Sequence, residues 1–128
     1  MKRTTFFVAA ALLIGVLPEC TAETERPERT RTTKVPAQYA RGEELFNANC
    51  ARCHGEGGRG TDKGPPFIHP VYHPRHHGDE SFHLAVQRGA RAHHWRFGNM
   101  PRIDGLNETD VNEIIAYVRW LQRQAGIY

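Results

Sequence analysis

A chain of 128 residues with 39% hydrophobic and 24% charged side chains has material for one small domain, and its formal charge of +3 is too mild to mark a nucleic-acid binder. No basic and aromatic residues interleave along a strand pattern, so nucleic acid is set aside as a partner and any steering of partners falls to a local patch.

The N-terminus carries Lys2 and Arg3, then an uncharged, mostly apolar run from Phe6 to Leu17, then Cys20-Thr21-Ala22. This order is that of a secretory signal, which predicts a leader over residues 1–22 cut after Ala22. The run is shorter than the about 20 apolar residues that span a bilayer. Cys20 stands where a bacterial lipoprotein carries its lipid, but Glu19 occupies the preceding place that calls for a small residue, so simple secretion is preferred and a lipid anchor at Cys20 is the alternative. Either route delivers the globular part to an oxidising, extracytoplasmic compartment such as the periplasm. Without Lys2, Arg3 and Glu19 the charge falls to about +2. Residues 23–35 are nearly all charged, Thr or Pro and offer little to bury, which reads as a flexible tether or as a terminus without a role.

Residues 36–128 form the predicted domain, all-α, with three main helices and long loops. The first helix is expected from about Pro36 to Cys50, with Tyr39, Leu45 and Phe46 on its apolar side. Gly42 lies one turn before Phe46 on that side, and a glycine there predicts close approach of another backbone.

At the end of this helix stands Cys50-Ala51-Arg52-Cys53-His54. A C-x-x-C-H string in an exported chain is a signature of covalent haem attachment. Two thiols one turn apart can add across the two vinyl groups of one porphyrin, and the histidine after them falls under the iron. His54 is then the proximal ligand. A zinc site of that kind would need a second cysteine pair, and a redox C-x-x-C would follow a strand; the sequence supplies neither.

The loop from Gly55 to Gly78 carries His69, His73, His76 and His77. A second helix is expected over about Glu80 to Arg88, capped by Asp79 and stopped by Gly89, with His83 on it and Phe82, Ala85 and Val86 buried. The next loop, Ala90 to Leu106, holds His93-His94-Trp95 and Met100-Pro101. Asn107 can cap the third helix with Asp110 three residues on, and Val111, Ile114, Ile115, Val118 and Leu121 recur at helical spacing. No stretch alternates as a strand would. Loops this long need something to organise them, and a haem disc would serve as the missing core.

Together these residues resemble the class I monohaem c-type cytochromes over about residues 35–125. The likeness rests on Gly42-x-x-Leu45-Phe46, Cys50-x-x-Cys53-His54, Gly64-Pro65, Met100-Pro101 and Ile114-Ile115-Ala116-Tyr117. The resemblance implies a cytochrome c fold whose first and last helices cross at right angles through Gly42, Phe46, Ile114 and Tyr117. It implies that the Pro65 carbonyl accepts a hydrogen bond from His54, which fixes the ring and raises its basicity. It also implies Met100 as distal ligand, a soft donor that favours ferrous iron; the other methionine in the chain is Met1. A methionine filling a core gap is the competing reading.

The histidines could replace Met100 on iron, bind copper or zinc, or simply line the crevice, and composition alone favours the last. Trp95, Arg96 and Arg102 are candidate partners for the haem propionates, since indole N–H and guanidinium suit carboxylates, and Trp95 could equally be a packing residue. The expected function is a periplasmic one-electron carrier using one haem c, monomeric, and passing electrons between redox partner proteins. The alternatives are an electron-entry subunit of a larger, membrane-associated oxidoreductase, a haem enzyme with an open distal side, and a histidine-cluster metal-binding protein.

Overall fold

The computed structural model describes residues 34–128. The leader over 1–22, Cys20 and nearly all of the 23–35 tether lie outside the described residues. Among the described residues the architecture is helical, without a strand: α1 (Ala40–Asn49), α2 (Ala51–His54), α3 (Asp79–Arg88) and α4 (Glu108–Gln124), with single 3-10 turns at Ala37–Tyr39, Glu56–Gly58 and Pro70–Tyr72. None of these helices is long and apolar enough to cross a membrane.

The first helix starts later than the sequence implies. Pro36 is extended, at φ −59° and ψ 144°, and leads into the 3-10 turn before regular α geometry begins at Ala40. At Cys50 the backbone relaxes to φ −116°, and the helix resumes as the single turn α2, which carries Cys53 and His54. The third expected helix is α4, and its start is as read. Asp110 N–H donates to Asn107 Oδ1 at 2.9 Å and Asn107 N–H donates to Asp110 Oδ2 at 3.2 Å, a reciprocal capping box.

The core is the contact of α1 with α4. A Cβ on Gly42 would overlap the Glu113 carbonyl oxygen and stand 2.8 Å from the Tyr117 Cβ, so the two backbones meet there and only glycine fits. Phe46, fully buried, packs against the Tyr117 ring with centroids 5.5 Å apart, and Val118 is buried beside it. Overpacking a rigid backbone contact costs about 3 kcal/mol. Gly42→Ala in the haem-loaded protein is therefore expected to lower unfolding free energy by about that amount. Denaturant titration measures it, and an unchanged midpoint would show that the helices do not meet at this point.

Asp79 does not cap α3, as the sequence suggested. Gly78 is the capping residue and makes no side-chain bond, while Asp79 is the first residue of the helix. Its carboxylate instead takes the Nε of Arg119 at 2.8 Å. Arg119 is 8% exposed within α4, and a guanidinium buried to that degree must satisfy its donors. It gives Nη1 to the Tyr72 carbonyl at 3.0 Å and to Gln122 Oε1 at 2.7 Å, and Nη2 to the His77 carbonyl at 2.6 Å. Gln122 Nε2 reaches the Phe67 carbonyl at 3.0 Å. The loop between α2 and α3 is thus tied to the last helix at three backbone carbonyls. No buried side-chain nitrogen or oxygen among the described residues lacks a partner.

Candidate haem site

The helices and loops enclose a largely apolar cavity of about 260 Å³, walled by Phe82 and Val86 of α3, Val111 and Ile114 of α4, and Phe67 and Tyr72 of the first long loop. Cys50, Cys53, His54 and Met100 all stand on its wall.

His54 is 7% exposed and its Nδ1–H donates to the Pro65 carbonyl at 2.9 Å. A carbonyl only accepts, so Nδ1 carries the proton and Nε2 keeps its lone pair. Phe67 stacks on the imidazole at 4.2 Å and 23°, fixing the ring plane. Burial pushes the His54 pKa below the ordinary histidine value, with the Pro65 bond opposing in part, so the ring is neutral and able to bind a metal. Burial, and then the neighbouring Cys53, push the Cys50 thiol up to about 11, which keeps it protonated.

Met100 is held by its own backbone. Its N–H donates to the Ala90 carbonyl at 2.9 Å and its carbonyl accepts from Ala90 N–H at 3.0 Å, an isolated antiparallel bridge that closes the loop between them. Gly89 makes the approach: it ends α3 at φ 77°, a conformation that favours glycine, and any Cβ there would strike the Met100 carbonyl. A thioether on one side of an apolar cavity and a neutral imidazole on its wall form a donor set that fits haem iron, and the two thiols fit its vinyl groups.

Of the three residues assigned to the propionates, Trp95 is on the wall and stacks on Tyr72 at 5.8 Å. Arg96 and Arg102 are not among the wall residues, and Arg102 pairs with Asp104, with Nε 2.8 Å from Oδ1. The histidines divide. His69 caps the 3-10 turn, its Nδ1 accepting from Val71 N–H at 3.2 Å, while His73 bonds the Tyr128 main-chain oxygen at 2.6 Å and His83 bonds Asn112 at 3.0 Å. His76, His77, His93 and His94 gather instead at the cavity rim, and the last three belong to its wall. Desolvation, followed by the neighbouring imidazoles, lowers the His94 pKa from its ordinary value.

Sequence reasoning missed Phe67, Tyr72 and Arg119. Arg119 had a signal: it falls four residues after Ile115, as Gln122 falls four after Val118, and polar residues on an apolar stripe point to a buried network. Phe67 lies in irregular backbone and Tyr72 ends a single 3-10 turn, both too short for a periodicity that separates inward from outward side chains.

The fold and this wall define a helical electron-transfer domain built to hold haem. The chain belongs to the Cytochrome c family, which it matches over residues 39–122. It is similar to the Cytochrome bc1 complex cytochrome c subunit of Corynebacterium diphtheriae, at 33% identity over 86 residues that cover 66% of this chain and 27% of that protein. The chain thus spans about a quarter of the length of this relative. No solved structure matches it.

Proposed function

We propose that this chain is an exported one-electron carrier, working in the periplasm within a respiratory or other redox chain, with one haem c held covalently through Cys50 and Cys53 and ligated by His54 and Met100. The observation that carries the reading is the fixed tautomer of His54, whose Nε2 lone pair belongs to a cavity wall that also bears both thiols and the one methionine beyond Met1. Haem iron bound here supplies a reversible change of one electron. The protein's own residues do the rest: Phe67 and Pro65 set the imidazole plane, the apolar wall excludes water, and the Ala90 bridge positions Met100.

The test is spectroscopic and potentiometric. Low-spin spectra in both oxidation states and a one-electron redox titration are expected of the purified protein. A high-spin ferric spectrum would mean an open distal side and would turn the reading toward a haem enzyme.

A second reading has its own support, because the Corynebacterium relative is named as a subunit of a bc1 complex. In that reading the same haem chemistry serves as an electron entry point fixed to a membrane complex. Co-purification with such a complex from detergent-solubilised membranes separates the two.

A further inference from the structure

We propose that His76, His77 and His94, with His93 beside them, form a second metal site at the rim of the haem cavity, for a divalent transition ion that prefers imidazole nitrogen, zinc(II) or copper(II).

Three side chains, His76, His77 and His94, each offer a ligating nitrogen, and these atoms all lie within 4.8 Å of one another. Their Nε2 atoms face other Nε2 atoms: His76 meets His94 at 3.1 Å and His77 meets His93 at 3.3 Å. Two nitrogens bound to one tetrahedral ion at about 2.0–2.1 Å stand about 3.3 Å apart, so these separations already match a shared metal.

The tautomers make the case stronger than proximity does. His77 Nδ1 donates to the Val71 carbonyl at 2.8 Å, and His93 Nδ1 donates to the Arg91 carbonyl at 2.7 Å. With Nδ1 the donor in each ring, Nε2 is the nitrogen left to ligate, and the two Nε2 atoms face each other. A metal ion between them would take both nitrogens at this separation of 3.3 Å. A backbone carbonyl behind each ring is also the arrangement that holds a metal-binding imidazole in its ligating tautomer.

The site is anchored on one side and open on the other. His77 is half-buried, and its backbone carbonyl is gripped by Arg119 of α4. His76 and His94 are exposed, so an ion can enter from solvent and these rings can turn to close on it. The all-nitrogen set argues against calcium or magnesium, which require oxygen, and suits zinc or copper.

The experiment is calorimetric titration of zinc chloride into the haem-loaded protein, prepared without a polyhistidine tag. One equivalent is expected to bind, with affinity lowered at least about tenfold in His77→Ala and in His94→Ala and unchanged in His83→Ala. His76→Gln, at an exposed position outside the cavity wall, gives a further variant whose fold is not at risk, and its unchanged haem spectrum verifies it. In parallel, copper(II) added to the same protein is expected to give an electron paramagnetic resonance spectrum with nitrogen hyperfine structure, lost in His94→Ala. Zinc binding weaker than about 1 mM with no nitrogen-coupled copper signal would overturn the proposal, as would equal binding by wild type, His77→Ala, His94→Ala and His76→Gln.

Discussion

Replacing Cys50 and Cys53 together with alanine is expected to yield an exported chain that releases all haem to acid-acetone and has no stable tertiary fold. The cavity explains why the effect is large. Without haem the apolar wall formed by Phe82, Val86, Val111 and Ile114 would stand open to water, at about 1.5–3 kcal/mol for each large apolar side chain left uncovered. Domains of this size have about 5–15 kcal/mol in total. The contact of α1 with α4 at Gly42 and the Arg119 ties to α3 and the first long loop do not involve the cavity, but Phe82 and Val86 of α3 and the loop from Ala90 to Ile103 face it. Loss of near-ultraviolet circular dichroism alongside loss of haem is the expected readout. Haem retained through extraction by the double variant would show that these thiols are not the points of attachment.

Met100→Ala is expected to abolish the weak sulfur-to-iron charge-transfer absorption of the ferric protein and to lower its reduction potential. The drop should be on the order of 100 mV, a fraction of the roughly 0.8 V that axial ligands span. Thioether sulfur favours the ferrous state, and its replacement by water or by an incoming nitrogen removes that preference. Because both backbone groups of Met100 are bonded to Ala90, the substitution deletes the sulfur without freeing the loop, so overall stability should fall less than in the cysteine variant. An unchanged spectrum and potential would assign the distal position to a rim histidine, with His77 and His94 the first to be replaced.

How much of this was legible beforehand depends on the range of the interaction. Local chemistry read well: the Asn107 and Asp110 capping box, the helix carried by Val111, Ile114, Ile115 and Val118, and the C-x-x-C-H turn are all set within a few residues. Gly42 read well because a glycine on an apolar helix face has few explanations. Asp79 misled because an acid before a helix is ordinarily a cap, and Arg119, 40 residues away, captures its carboxylate. The sequence pointed to the haem as what organises the first long loop and gave no sign that Arg119 and Gln122 also hold it at Phe67, Tyr72 and His77. The histidines were visible as composition on two separate loops. Only the folded chain sets His76 against His94 and His77 against His93.

The paired backbone of Ala90 and Met100 also divides labour along the chain. Residues 91–99 form a closed excursion whose two ends are clamped, so their length and chemistry can vary with little displacement of the sulfur at its exit. The excursion is in effect an exchangeable cassette, and His93, His94 and Trp95 are its present contents. Grafting other sequences between residues 90 and 100 would re-address the rim of the protein, for another ion or another docking partner, and reshape the part of the haem wall that Trp95 supplies, while the bridge that positions Met100 stays as it is.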